Sequence, residues 1–242
     1  MIKIEKTEVV GWEHAIRGMR NPMNSWEKSD SGYTCGDHCC NLMPGCNLCC
    51  DIPHYVVRKN DHELMMKLAN GGPVHAKYRR MITVYLDITA PLYWWKEFDT
   101  YKVGTVANSC STMHKIHEKE FTLADFSCEH LTLDAKMLLL NTIKYLNSYR
   151  DVYQNGFKAV PGDDNGMPDI KPKDKKYWWQ MIQLLPSSYN QKRTVMLNYE
   201  VLNNIYHSRK EHKLDEWREF CKWIESLPYS EIITGEVGGE EE

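Results

Sequence analysis

The sequence predicts a helix-rich α+β domain with a small antiparallel or mixed sheet. Three observations carry that expectation. Residues 131–153 place Leu139, Ile143 and Leu146 on one face at helical spacing. Two other segments, the opening IKIEK and MITVYLDI from Met81 to Ile88, alternate with period two, and the second is rich in β-branched and aromatic residues. Finally, 242 residues with 42% hydrophobic and 26% charged side chains suffice for one full core, so a single domain over residues 1–233 is expected.

Taken in order, IKIEK reads as a short edge strand, and Glu13 to Arg20 as a short helix closed by Asn21-Pro22. Residues 24–60 read as loop, including a cysteine-rich insertion at 34–51. Asp61 to Asn70 reads as a helix with Asn60 or Asp61 as its N-cap and Gly71-Gly72 as its stop. After the Met81–Ile88 strand, Pro91 can open a helix that LYWWKEF continues. Residues 99–121 are polar and aperiodic, a candidate functional loop. The long helix at 131–153 is followed by a Pro-, Gly- and Asp-rich loop at 155–175. Three further helices are expected, at 176–185, 190–207 and 214–227, with Pro186 and Pro228 closing the first and last. The acidic tail 234–242 is expected to be disordered.

Composition excludes several classes. A net charge of −3 offers no global basic field for nucleic acid. The longest apolar runs, such as residues 137–140, fall far short of the ~20 residues that span a bilayer. The opening MIKIEKTEVV has no basic stretch followed by an apolar run, so neither a secretory leader nor a membrane location is expected. Six of the nine cysteines lie between Cys35 and Cys50 as C-x3-CC-x5-C-x2-CC, and the odd total argues against a disulfide framework and for a reducing, cytoplasmic setting. Cys46 and Cys49 form a plausible chelating pair, and Cys35, His38 and Cys39 or Cys40 could complete a zinc site; unmetallated thiols are the blander alternative.

Other constellations also admit a functional and a structural reading. The triplets Tyr93-Trp94-Trp95 and Tyr177-Trp178-Trp179 could stack on a planar ligand, but at helical spacing they read first as core or subunit interface. Lys192, Arg193, Arg209 and Lys210 could meet phosphate or a pyrimidine edge, or simply face solvent. Asn198 and Asn204, six apart, are more polar amides than a half-buried helix needs unless they serve a ligand. His75 follows Gly71-Gly72-Pro73 at a turn that could meet a cofactor. No dinucleotide fingerprint, P-loop, nucleophile elbow or zincin motif is present.

The run LLPSSYNQKRTVMLNYEVLNNIYHSRKEHKLDEWREF resembles the closing segment of flavin-dependent thymidylate synthases. In that family an asparagine lies twelve residues beyond a Leu-Pro, a second six later and an arginine five after that. Here these are Pro186, Asn198, Asn204 and Arg209. Arg17 and Arg20 in HAIRGMRNPMNSW are similar to the family's R-x-x-R helix, His75 fits its glycine-histidine turn, and Ala90-Pro91 its strand-to-helix step. The likeness spans most of the chain, apart from the cysteine insertion, the 155–175 loop and the tail.

The resemblance implies a homotetramer that reductively methylates dUMP, or a related pyrimidine nucleotide, to dTMP or its counterpart. It implies FAD as cofactor, with NADPH and methylenetetrahydrofolate as co-substrates. No protein nucleophile is required; the protein orients flavin and uracil and stabilises developing charge. Arg209 then corresponds to the arginine that contacts the pyrimidine and favours its ionised form. His75, Lys102, Asn108, Asn198, Tyr199, Glu200 and Asn204 fall at flavin-contacting positions, and Glu97, Thr100, Cys110, Ser111 and Gln183 join Arg209 at substrate positions.

The family's R-H-R hallmark is replaced by residues 100–105 (TYKVGT), where only Lys102 is cationic, and either Cys110 or Ser111 stands for a downstream serine. The arginine ahead of the Leu-Pro gives way to Ile182 or Gln183. Each lost guanidinium removes a charge-assisted contact worth about 1.5–3 kcal/mol. His114, Lys115 and His117, nearby in sequence, could contribute compensating positive charge. Two functions are therefore carried forward: a divergent enzyme of this type, and a non-catalytic nucleotide- or protein-binding relative that has lost flavin chemistry.

Overall fold

The alternation at the start of the chain does build an edge strand. β1 (Lys3–Val10) ends a four-stranded sheet of order β1-β4-β6-β5, in which β4 is Thr83–Pro91, β5 is Val106–Ser109 and β6 is Asn190–Asn198. A separate antiparallel pair joins β2 (Gly32–Thr34) to β3 (His54–Val56), with Tyr33 opposite Tyr55. The computed structural model describes residues 2–34, 54–158 and 169–235, so Cys35, His38, Cys39, Cys40, Cys46 and Cys49 and the proposed zinc site lie outside the described residues. The helix-rich α+β class expected from the sequence is what the chain adopts.

Two compact units make up the chain. The first comprises Met1–Ile4, Asp87–Thr100 and Ala107–Thr194. Its core is set by α4 (Leu133–Asn155) and α5 (Lys175–Leu184), which bury the expected Leu139, Ile143 and Leu146 with Ile116, Phe121, Phe126 and Met181. Thr132 caps α4 by accepting the Ala135 N–H at 3.4 Å. Pro91 is the N-cap of α3 (Leu92–Phe98), whose Trp94, Trp95 and Phe98 are buried against one another. Those tryptophans are core, as the bland reading of the first aromatic triplet has it. In the second triplet, Trp178 donates to the Met113 carbonyl at 2.9 Å and Trp179 stays exposed.

The second unit comprises Glu5–Leu86, Tyr101–Val106 and Val195–Glu242. It holds α1 (Trp12–Arg20), α2 (Lys59–Asn70), a 3-10 helix at Ala76–Met81, α6 (Tyr199–Arg209), α7 (Asp215–Glu225) and α8 (Glu231–Thr234). Gly11 precedes α1 with φ +96°, and a Cβ there would lie 2.1 Å from the Met81 carbonyl oxygen, so only glycine fits.

Several expectations are corrected. The helix expected at 190–207 is instead β6 followed directly by α6, because Gln191, Val195 and Leu197 are buried with strand alternation up to Asn198. The loop expected at 24–60 contains a 3-10 turn at Trp26–Lys28 as well as β2 and β3. The 99–121 loop contains β5, whose side chains are all exposed, which is why no alternation betrays it. Asp61 is not a cap: α2 starts at Lys59, and the fully buried Asp61 pairs with Arg20 from α1. Thr234, assigned to the tail, ends α8 and is buried with Ile232 and Ile233; residues from 236 onward lie outside the described residues. No helix among the described residues is long and apolar enough to cross a membrane.

Candidate functional site

In the second unit the site is organised by α6. Asn198, the last residue of β6, is also the helix cap: its side-chain oxygen accepts the Val201 N–H at 3.0 Å, while the Tyr199 N–H donates to the Ile82 carbonyl at 3.1 Å. Tyr199 is buried, and its hydroxyl donates to the Pro228 carbonyl at 2.7 Å. Burial, with the nearby Glu231 and Tyr229, pushes that hydroxyl's pKa far above the usual tyrosine value. Glu200, in the first turn, is buried beside Arg79 at 3.8 Å. That separation is an ion pair without a hydrogen bond, and among the described residues both Arg79 Nε and Glu200 Oε2 lack a hydrogen-bond partner. Asn204 is exposed on the same helix.

Arg209 closes α6, and its guanidinium is fixed on two sides. Nε donates to the Tyr101 hydroxyl at 3.0 Å, and Cζ lies 4.9 Å over the Trp217 ring and 5.8 Å from the Tyr101 ring centre. Tyr101 and Trp217 meet edge to face at 6.0 Å. The loop that Tyr101 opens carries the exposed Lys102, then returns at Gly104, φ +81°, where a Cβ would stand 2.8 Å from Asn198 Nδ2. Residues 101–104 thus touch both ends of α6. His75 is exposed ahead of the 3-10 helix that carries Arg79.

Arg20, matched to the R-x-x-R helix, is fully engaged elsewhere in this unit. Its Nε donates to Asp61 Oδ1 at 2.6 Å, Nη1 to the Ser25 carbonyl at 3.1 Å and Nη2 to the Lys28 carbonyl at 3.1 Å. Asp61 Oδ2 accepts from Ser29 Oγ at 2.7 Å and from the Asp30 and Ser31 N–H groups at 3.1 and 3.0 Å. Burial pushes the Asp61 carboxyl up, but hydrogen bonds from Ser31, Ser29 and Arg20 outweigh it and hold the group below the usual carboxylate range. This arginine builds the fold.

In the first unit, Cys110 and Ser111 line a cavity of about 320 Å3 with Lys115, Lys119, Asp125 and Tyr189. Cys110 is an exposed free thiol whose backbone is clasped to β6: its N–H donates to the Lys192 carbonyl at 2.9 Å, and Gln191 Nε2 donates to its carbonyl at 2.7 Å. Ser111 Oγ accepts the Met113 and His114 N–H groups at 3.2 and 2.9 Å, which folds the following turn. Lys115 pairs with Glu118, and Lys119 with Asp125 at 2.8 Å. Arg193 stacks 4.1 Å over Trp95 and donates to Asp99 at 2.7 Å and to Gln191 at 3.0 Å; Lys192 pairs with Asp87 at 3.0 Å. Thr100 Oγ1 donates to the Glu97 carbonyl at 2.7 Å, and Asn108 and Gln183 are exposed. No group of three or more His, Cys, Asp or Glu residues that could hold a metal ion is found among the described residues.

Sequence reasoning missed Tyr101, Trp217, Arg79 and Asp61. The signals for the first two were slight: a tyrosine beside Lys102, the one cation of residues 100–105, and a tryptophan in the helix after Arg209.

No family model matches the sequence, nor does any curated protein sequence. Solved structures do resemble the chain. One is thymidylate synthase X (ThyX) from Helicobacter pylori with FAD and dUMP, at TM-score 0.60 and 14% identity, covering 97% of this chain and 98% of that one. A second, the flavin-dependent thymidylate synthase ThyX from Helicobacter pylori complexed with FAD and dUMP, gives 0.60 and 14% over 96% and 98%. At that identity the likeness establishes the fold alone.

Proposed function

We propose that this chain is a divergent flavin-dependent thymidylate synthase-like enzyme that acts on dUMP or a closely related pyrimidine nucleotide. The observation that carries the proposal is the immobilised guanidinium of Arg209 at the end of α6. A fixed, permanently charged donor suits a pyrimidine carbonyl and favours its ionised form. The fold's likeness to structures holding FAD and dUMP supports the same reading.

Of the residues proposed for FAD, Asn198 and Tyr199 have side-chain oxygens engaged in the fold and Glu200 is buried. In the second unit the contacts then fall to His75, Lys102 and Asn204, and in the first to Asn108, all exposed polar side chains suited to a flavin's oxygens or phosphates. When bound, FAD supplies the hydride chemistry, with NADPH as reductant and methylenetetrahydrofolate as carbon donor. Glu97, Thr100, Cys110, Ser111 and Gln183 remain our proposed substrate contacts in the first unit.

Residues 1–233 are proposed as one cytoplasmic domain, since four of the five boundaries between the units fall within β1, β4, β5 and β6, the fifth lying at Thr100/Tyr101 in the loop after α3. An exposed apolar row on α4, with Leu133 77% and Leu138 69% accessible and Met137 beside them, supports a homo-oligomer, read here as a tetramer.

A second reading, a non-catalytic binding protein, is favoured by one observation: Arg20 is fully engaged within the fold. Absorbance in the flavin region, before and after adding FAD, separates the two. Bound flavin together with dUMP binding supports the enzyme. A protein that stays colourless and refuses added FAD overturns the enzyme and supports the binder.

A further inference from the structure

An arginine at a helix C-terminus is a long side chain with many accessible rotamers. Arg209 has lost that freedom. Its Nε is committed to the Tyr101 hydroxyl at 3.0 Å and its flat face lies over Trp217 at 4.9 Å. Tyr101 is itself held: it packs edge to face on Trp217, and its loop closes tightly onto the first turn of α6 at Gly104, where a Cβ would come within 2.8 Å of Asn198 and 3.2 Å of Val201. Glycine's positive φ at that point lets the loop approach so closely.

We propose that Tyr101 is the positioning residue of Arg209. Through its hydroxyl, the loop at residues 101–105 sets the guanidinium's rotamer and thereby its grip on the nucleotide. The inference rests on the nucleotide reading above. It also gives the polar loop a task that does not need an arginine within it: the loop orients the cation that α6 provides.

The test uses the full chain, 15N-labelled, with Arg209→Met identifying the Arg209 Nε–H signal. In the wild type that proton should exchange slowly. Tyr101→Phe keeps the ring and removes the acceptor, and should speed the exchange at least tenfold. The same change should weaken dUMP binding about tenfold in calorimetry, the scale of one hydrogen bond. The double variant should bind no more weakly than Arg209→Met alone, because the hydroxyl acts only through the guanidinium. Unchanged exchange in Tyr101→Phe overturns the proposal, as do altered exchange with unaltered dUMP affinity and losses that simply add. A wild type that binds no dUMP, with the Nε–H signal responding as described, would overturn the nucleotide reading and leave positioning by Tyr101 supported.

Discussion

Arg20 and Arg79 lie in the same unit, are buried to 4% and 6% exposure, and each faces one carboxylate. Around Arg20 the match is close: the pair closes at 2.6 Å, and the Ser25 and Ser29 hydroxyls, two backbone carbonyls and two backbone N–H groups bond the rest of the cluster. Around Arg79 it is not: the pair stands at 3.8 Å, and one atom on each side has no hydrogen-bond partner among the described residues. A buried charge is tolerable only when its hydrogen-bonding capacity is met, so the first pair fixes a structure and the second holds one loosely. An arginine's place in a motif does not reveal which of these it does.

The largest expected effect breaks the well-matched pair. Asp61→Ala leaves Arg20 buried and uncompensated, and should cost about 3–5 kcal/mol in denaturant unfolding; a loss under about 1 kcal/mol would abolish the contrast. Acid provides a second view. The Asp61 carboxyl is lowered from its usual 3.8, so its contribution is fully present above that value and is lost as pH falls through the lower folded value. Wild-type stability should therefore fall more steeply below about pH 4 than that of Asp61→Asn.

The loose pair should respond less. Arg79→Met alone strands Glu200 and should cost about 1–3 kcal/mol. Arg79→Met with Glu200→Leu should return most of that loss, since an apolar replacement leaves nothing unsatisfied. A coupling as strong as that of Arg20 with Asp61, measured by the corresponding cycle, would show the two pairs to be equivalent. The smallest effect sharpens the contrast by location. Asn198→Ala removes the cap of the helix that carries Glu200 and should cost about 1 kcal/mol. Amide exchange should speed in α6 and not in α2; equal acceleration in both would mean that the two regions open together.

Where one face was apolar, the fold was legible. Leu139, Ile143 and Leu146 announced α4, and the alternation in Met81–Ile88 announced β4. β6 was misread because Gln191, Lys192 and Arg193 obscure its period and Val195-Met196-Leu197 is a short apolar run that fits helix or strand. Asn198 and Asn204 looked like surplus amides on one long helix; with Asn198 as the cap, only Asn204 remains on the exposed face. Asp61 was hidden because an acidic residue near a helix start already has an ordinary local explanation. Resemblance led to Arg209 but not to Tyr101, since the hydroxyl's partner lies 108 residues away in sequence.

Asn198 is at once the final residue of β6 and the first support of α6, as Pro91 is for β4 and α3. At neither junction does a spare residue intervene. A one-residue slip of β6 would therefore pull Asn198 out of its seat on the Val201 N–H. Arg209, eleven residues on, is joined to Asn198 by one uninterrupted helix.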